Sequence, residues 1–170
     1  LYKRIVMSST YRQSSTYRPE AQEIDPFNRL LHRAPRFRVP AEQVRDIALA
    51  ASGLLDLRNG GPSVMPFQPE AYYVGKREAW NWDVSKGSDR YRRGLYTFWR
   101  RTTLYPSFQI FDAPSREFCT VTRPQTITPL QALVTLNDPV FVEAARALAQ
   151  LTQNHGGENF DSQLQYAFRR

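Results

Sequence analysis

Apolar residues recur every three or four positions in three stretches of the sequence, which is the spacing of an amphipathic helix. These stretches are residues 40–52, 129–136 and 139–153. In the first of them, the apolar face predicted from this spacing consists of Val44, Ile47, Ala48 and Ala51. The pattern therefore predicts a mainly α fold.

The starts of the second and third helices carry capping signals. Thr128, Pro129 and Gln131 have the order of a capping box with proline at the first helical position. Asp138 stands directly before Pro139 and suits the N-cap of the next helix. Both Thr128 and Asp138 therefore have a structural reason to be present.

Two other regions follow a different pattern. Residues 65–91 have no helical or strand period, and they form a long loop rich in aromatic residues, a kind of segment that is often functional. Leu95 to Trp99 alternates in a way that predicts a short strand with bulky apolar groups on both faces, so we expect this strand to be buried. The fold class is thus an irregular helical domain with long loops and at most a small β element near residues 92–103.

Residues 1–170 have a size that suits a single domain. Leu1, Ile5 and Val6 lie on one face of a short helical pattern, and Leu164 and Phe168 lie on one face of another. We therefore expect both ends to fall within helices and the chain to be a piece of a longer polypeptide. No apolar run approaches 18 residues, so the sequence predicts no membrane span.

Composition limits the chemistry that the chain can support. It has one cysteine and two histidines, which is too few for a cysteine-rich zinc site, a three-histidine zinc centre or a covalent haem c attachment. We therefore predict no metal site and no cofactor in this chain. The net charge is +7, and 20 of the 23 basic residues are arginine, whose planar fork suits carboxylate, phosphate or sulfate.

No catalytic residue can be assigned from the sequence. The one cysteine, Cys119, stands between Phe118 and Thr120 with no histidine nearby, and this setting predicts a buried and unreactive thiol. Asp112 and Glu117 are among the acids near the aromatic segment, and we expect them to pair with arginines rather than to form a glycosidase-type acid/base pair.

Arginine and aromatic residues alternate around residues 90–101, and this pattern has two interpretations. In one, the residues form a buried strand whose arginines hold neighbouring loops. In the other, they bind an anionic or sulfated glycan, with aromatic rings under the sugars; nucleic acid is a less favoured ligand, because no nucleic-acid motif accompanies them. The candidate ligand-binding residues are Arg92, Arg100, Arg101, Trp80, Trp82, Asp112 and Arg123.

The runs PSREFCTVTRP and TPLQALVTLNDPVFVEAARALA resemble a planctomycete C-terminal domain of unknown function. That domain is found in large proteins that also contain a planctomycete cytochrome c domain. The resemblance extends over essentially the whole chain, including Gly60 to Val64 and Arg92 to Arg101. It implies neighbouring domains in the same polypeptide, a haem c domain upstream and export from the cytoplasm. Many relatives carry a basic residue in place of Thr122, so an arginine pair at Arg123 is not implied.

Two function hypotheses follow. The first is a noncatalytic module that docks against neighbouring domains and binds a partner, an anionic ligand or a glycan. The second is a part of an extracytoplasmic enzyme that acts on polysaccharide or is redox-linked through the upstream haem domain. The first requires only arginine and aromatic surfaces, which the sequence contains, whereas the second requires a convergent set of reactive groups.

Overall fold

A computed structural model describes residues 1–69, 82–101 and 104–170 of the chain. These residues divide into two compact units, Leu1–Arg38 and Val39–Arg170. The sequence predicted a single domain over residues 1–170 and chain ends that lie within a longer polypeptide. The division into two units does not test either point, so both stay predictions.

The first unit consists of three short helices and an ordered turn. The helices are α1 (Tyr2–Val6), α2 (Ser9–Arg12) and α3 (Pro19–Ile24). The turn that follows is organised by Asp25, whose carboxylate accepts hydrogen bonds from the backbone N–H groups of Arg29 at 2.9 Å and Leu30 at 2.7 Å. These backbone donors, led by Leu30, lower the pKa of Asp25.

The second unit contains the longer helices, and the prediction of a mainly α fold is confirmed. Its helices are α4 (Ala41–Ala51), α5 (Pro106–Ile110), α6 (Pro129–Asn137), α7 (Pro139–His155) and α8 (Phe160–Arg169). Helix α7 is the longest of these, and it packs against α4, α6 and α8. None of the described helices has the length and apolarity needed to cross a membrane.

The predicted caps of α6 and α7 are present. The backbone N–H of Thr128 donates to Oε1 of Gln131 at 3.2 Å, which is the glutamine half of the capping box. The carboxylate of Asp138 accepts from the backbone N–H of Val140 at 2.9 Å. Asp138 is also the C-cap of α6, so a single residue separates the two helices.

The core of the second unit is built around α5. Ala41, Leu104, Tyr105 and Phe108 form its buried cluster, and the rings of Trp82 and Trp99 pack against it. Phe108 is only 1% exposed, and its ring meets the ring of Tyr105 edge-on with centroids 5.3 Å apart. Aromatic side chains therefore supply most of the apolar surface buried at this position.

The predicted strand from Leu95 to Trp99 is wrong in its extent and in its burial. Gly94–Tyr96 forms a 3₁₀ turn, and only Thr97 pairs with Val64, in an isolated parallel bridge. Gly94 lies so close to α4 that a Cβ atom placed on it would be 2.6 Å from the carbonyl oxygen of Glu42. This close approach turns the chain, and it leaves Leu95 72% exposed.

The buried face of α4 also differs from the predicted one. The residues of α4 that are buried are Ala41, Arg45 and Leu49, four positions apart, whereas the predicted Ile47 is 55% exposed. The helix is thus rotated relative to the prediction, and the rotation places an arginine in the buried stripe.

The core position of Phe108 leads to a stability prediction. Replacing Phe108 with alanine should lower the free energy of unfolding by about 3–5 kcal/mol, because a large buried ring is removed and its cavity is only partly refilled. The matched variant Leu95→Ala should change it by less than ~0.5 kcal/mol, since that side chain is exposed. Urea unfolding measures both values, and equal effects would contradict the core assignment.

Candidate functional site

Arg45 anchors the segment 90–93 to α4. Arg45 is 2% exposed, and its guanidinium donates through Nη2 to the backbone carbonyl of Arg90. Its Nε and Nη1 atoms have no hydrogen-bond partner within the described part of the chain. Burial lowers the pKa of Arg45, because it removes water from the charged form. The neighbouring Asp46 accepts from the backbone N–H of Gly94 at 2.6 Å, which fixes the start of the 3₁₀ turn.

The side chains of Arg90 and Tyr91 bind α7. Nη2 of Arg90 forms an ion pair with Glu143 at 3.1 Å, and the hydroxyl of Tyr91 donates to Oε1 of Glu143 at 2.8 Å. The hydrogen bond to Glu143 raises the pKa of Tyr91. Glu143 is thus held by two donors, and its charge is balanced by Arg90.

Arg92 is buried and binds the backbone of a neighbouring turn at residues 58–62. It donates to the backbone carbonyl oxygens of Pro62 at 3.0 Å, of Arg58 at 3.4 Å and of Gly60. Its guanidinium also lies 3.8 Å from the centroid of the Tyr96 ring. Carbonyl oxygens of the 58–62 turn thus serve as the acceptors for the buried Arg92 guanidinium, and a ligand-binding role for Arg92 stays a prediction.

The other predicted residues of this region are dispersed. Trp82 donates through its indole N–H to the carbonyl of Pro66 at 2.6 Å and stacks on Tyr105 with ring centroids 6.0 Å apart. Arg100 is half-buried and interacts with another group, whereas Arg101 is exposed. Trp80 lies outside the described residues. As ligand-binding residues these four stay predictions.

Asp112 and Arg123 hold the ends of a loop over residues 113–127. The carboxylate of Asp112 accepts from Thr126, through its backbone N–H at 2.7 Å and its hydroxyl at 2.8 Å. Arg123 donates to both carboxylate oxygens of Glu42 on α4, at 2.8 and 3.1 Å. Both predicted site residues therefore have structural partners.

Cys119 lies in this loop and is exposed, so the prediction of a buried thiol is wrong. Its neighbour Phe118 is 73% exposed and Val121 is fully exposed. Apolar neighbours in sequence suggested burial, but the apolar side chains of Phe118, Val121 and Ile127 in this loop are exposed.

A concave site lies beside α7, and we call it the α7 cleft. It is a cavity of about 480 Å³. Its described lining residues are Phe67, Arg90, Asn137, Pro139, Val140, Val142, Glu143 and Arg146. Arg146 follows Glu143 by three residues, so both project from the same side of the helix. Sequence reasoning did not select Arg146, although this spacing was available as a signal.

A second cavity of about 410 Å³ adjoins the α7 cleft, and we call it the aliphatic cavity. Its described lining residues are Pro69, Pro106, Ser107, Ile110, Leu133, Val134, Asn137, Asp138 and Pro139. Asn137 and Pro139 line both cavities, so the two meet at the junction of α6 and α7.

Cationic groups dominate the chemistry of the α7 cleft. Glu143 is its one carboxylate among the described lining residues, and Arg90 and Tyr91 already bind it. Within the ranges that the structure describes, Arg146 has neither a hydrogen bond nor an ion pair. No group of three or more histidine, cysteine, aspartate or glutamate residues suited to a metal ion occurs in those ranges.

The whole chain, residues 1–170, matches the sequence model of the PSD1 family, described as protein of unknown function (DUF1553). The chain belongs to this family, which confirms the resemblance to a domain of unknown function. The association with cytochrome c domains and export stays a prediction. Searches of curated proteins and of solved structures found no match.

The exposed position of Cys119 predicts rapid labelling. A thiol reagent such as 5,5′-dithiobis(2-nitrobenzoic acid) should modify the native protein completely and nearly as fast as the urea-unfolded chain, because exposure governs access to the thiolate. Absorbance of the released thiolate measures both rates. Protection of the native thiol by 100-fold or more would contradict the exposed loop.

The Arg123–Glu42 ion pair predicts a pH effect. Burial raises the pKa of Glu42, but the hydrogen bonds and charge of Arg123, together with the Glu42 backbone N–H and the charge of Arg116, outweigh it, so the pKa lies below its ordinary value of 4.5. The pair therefore stabilises the folded chain above pH 4.5, and its contribution is lost as the pH falls through the lowered pKa of Glu42. Because Arg123 is partly exposed, the contribution should be at most about 1 kcal/mol.

The variant Arg123→Ala tests this electrostatic link. It should raise the pKa of Glu42, as followed by NMR titration of its carboxyl carbon, while Arg101→Ala should leave it unchanged. An unchanged pKa in Arg123→Ala would show that the ion pair is absent in solution.

Proposed function

We propose that this chain is a noncatalytic binding module that holds an anionic ligand in the α7 cleft. The observation that carries the proposal is Arg146, a cation that lines the cleft and has no acidic partner within the described ranges. A guanidinium at the wall of a cavity offers several N–H donors in a fixed plane, and this arrangement suits carboxylate, sulfate or phosphate.

Arg90 adds to the positive character of the cleft. Its bonds to Glu143 use only Nη2, so its Nε and Nη1 donors have no hydrogen-bond partner among the described residues. The bond from Arg45 to the carbonyl of Arg90 holds the backbone at this position. An anion in the cleft would therefore meet one guanidinium that is already oriented and a second that is free to turn toward it.

Glu143 does not oppose this function. Its carboxylate accepts from Arg90 and Tyr91, so the charge it presents to the cleft is offset by the Arg90 guanidinium. Counting Arg90, Arg146 and Glu143 together, the described lining keeps a net positive charge. The function needs no reactive group, so it does not depend on Cys119 or on either histidine.

The setting that we propose is an exported polypeptide in which this chain lies beside other domains, one of them carrying haem c. The resemblance drawn from residues 112–146 supports this setting. Within it, the anionic group could belong to a neighbouring domain, to another protein or to a sulfated glycan. The sequence analysis assigned an anionic ligand of this kind to the arginines around residues 92–101. We propose the α7 cleft as the primary binding site instead.

Titration with sodium sulfate at low ionic strength, followed by NMR, tests the proposal. Resonances of α7 and of the Arg146 side chain should shift, and Arg146→Gln should weaken binding by roughly 10- to 100-fold, the size of a lost charged hydrogen bond. Arg101→Gln serves as the charge-matched control, since it removes an exposed arginine outside the cleft. Equal losses in the two variants, or shifts confined to residues 92–101, would overturn the assignment.

A further inference from the structure

We propose that the ligand of the α7 cleft is an extended peptide segment that carries an acidic side chain and, close to it, an aliphatic side chain. This inference rests on the proposed function and specifies its ligand class. The acidic side chain binds in the α7 cleft, and the aliphatic side chain enters the aliphatic cavity.

The contrast between the two adjoining cavities carries the inference. One presents Arg146 and Arg90, and the other presents Ile110, Leu133 and Val134 together with three prolines. Because the cavities share Asn137 and Pro139, a single ligand can occupy both. Burial of an aliphatic side chain beside an ion pair gives a ligand two separate sources of affinity, apolar contact and charge.

Asp138 sets the direction of the ligand. Asp138 is one of the lining residues of the aliphatic cavity, and its carboxylate caps α7 by accepting from the backbone N–H of Val140. An acidic group placed there would meet a like charge at close range, whereas the same group in the α7 cleft meets Arg146. The charges therefore favour one orientation, with the acid beside α7 and the aliphatic group beside α5 and α6.

Asn137 lies where the backbone of such a peptide would cross between the cavities. Its Nδ2 donates to the carbonyl of Leu133 at 2.8 Å, which orients the amide. Its Oδ1 accepts no hydrogen bond from the described residues and can accept one from a peptide N–H. A polar amide between an apolar and a cationic pocket complements a peptide group between an aliphatic and an acidic side chain.

The described lining is less suited to a glycan. Sugars bind on exposed aromatic faces, but Trp82 stacks on Tyr105 inside the unit, and Arg116 covers the Trp99 ring at 4.0 Å from its centroid. Prolines and aliphatic side chains offer no donors for hydroxyl groups. Phe67 is the one aromatic residue among the described lining of the α7 cleft.

A panel of acetylated, amidated peptides tests the inference with the full chain. Each peptide contains one leucine and one glutamate, in either order, separated by zero to three alanines, because side chains two residues apart share a face of an extended peptide and their neighbours do not. Binding is measured by NMR titration. At least one peptide should bind more than about 10-fold tighter than its Glu→Gln and Leu→Ala versions, the gain expected from burying one leucine or forming one charged pair.

Protein variants locate the two contacts. Leu133→Ala should weaken the leucine-containing peptide about 10-fold and leave its Leu→Ala version unaffected. The matched control is Leu136→Ala, an exposed leucine on the same helix that is not among the described lining residues. Arg146→Gln should weaken every glutamate-containing peptide, with or without leucine.

The possible outcomes separate the two proposals. Sulfate binding that depends on Arg146, combined with no gain from leucine in any peptide, overturns the peptide assignment and leaves anion binding intact. Tighter binding of a sulfated disaccharide than of every peptide, unaffected by Leu133→Ala, overturns it in favour of a glycan. Absence of any Arg146-dependent anion binding overturns the proposed function and the peptide assignment with it.

Discussion

A guanidinium in the buried stripe of α4 must find hydrogen-bond acceptors inside the second unit, because burial removes its water. Nη2 of Arg45 finds such an acceptor in the backbone carbonyl of Arg90, and this bond ties α4 to the end of the 3₁₀ turn at Gly87–Tyr91. From that turn, Arg90 and Tyr91 bind Glu143 on α7. Besides packing directly against each other, α4 and α7 are thus linked through Arg45, the residues 90–91 and Glu143, and this link forms one wall of the α7 cleft.

Arginines in this chain serve two different purposes. Arg92 organises the 58–62 turn by binding its carbonyl oxygens, and Arg123 holds the 113–127 loop to α4 through Glu42. Both guanidinium groups bind backbone or side-chain acceptors, so each of these arginines acts as a structural cross-link between two parts of the chain. Arg146 differs because it projects from α7 into the wall of a cavity and forms no ion pair with any acid among the described residues.

The sequence predicted helices where local signals agree and failed where tertiary contacts decide. Residues 129–155 combine apolar periodicity with the caps at Thr128 and Asp138, so α6 and α7 were found nearly at their observed limits. The face of α4 was misassigned, because periodicity counts Arg45 as polar while its hydrogen bond allows burial. The strand at residues 95–99 was misassigned, because nothing local reveals how closely Gly94 approaches Glu42. The α7 cleft joins side chains from distant positions such as Phe67 and Arg146, and a single sequence contains no record of that proximity.

The one-residue connection between α6 and α7 has a mechanical consequence. Asp138 ends one helix and caps the next, so the angle between these helices is determined by very few backbone dihedral angles. The two cavities meet at its neighbours Asn137 and Pro139 and share both helices as walls. A rotation at this joint would change both cavities together, so a ligand that fills one cavity alters the free energy of filling the other to the extent that it favours one helix angle over another.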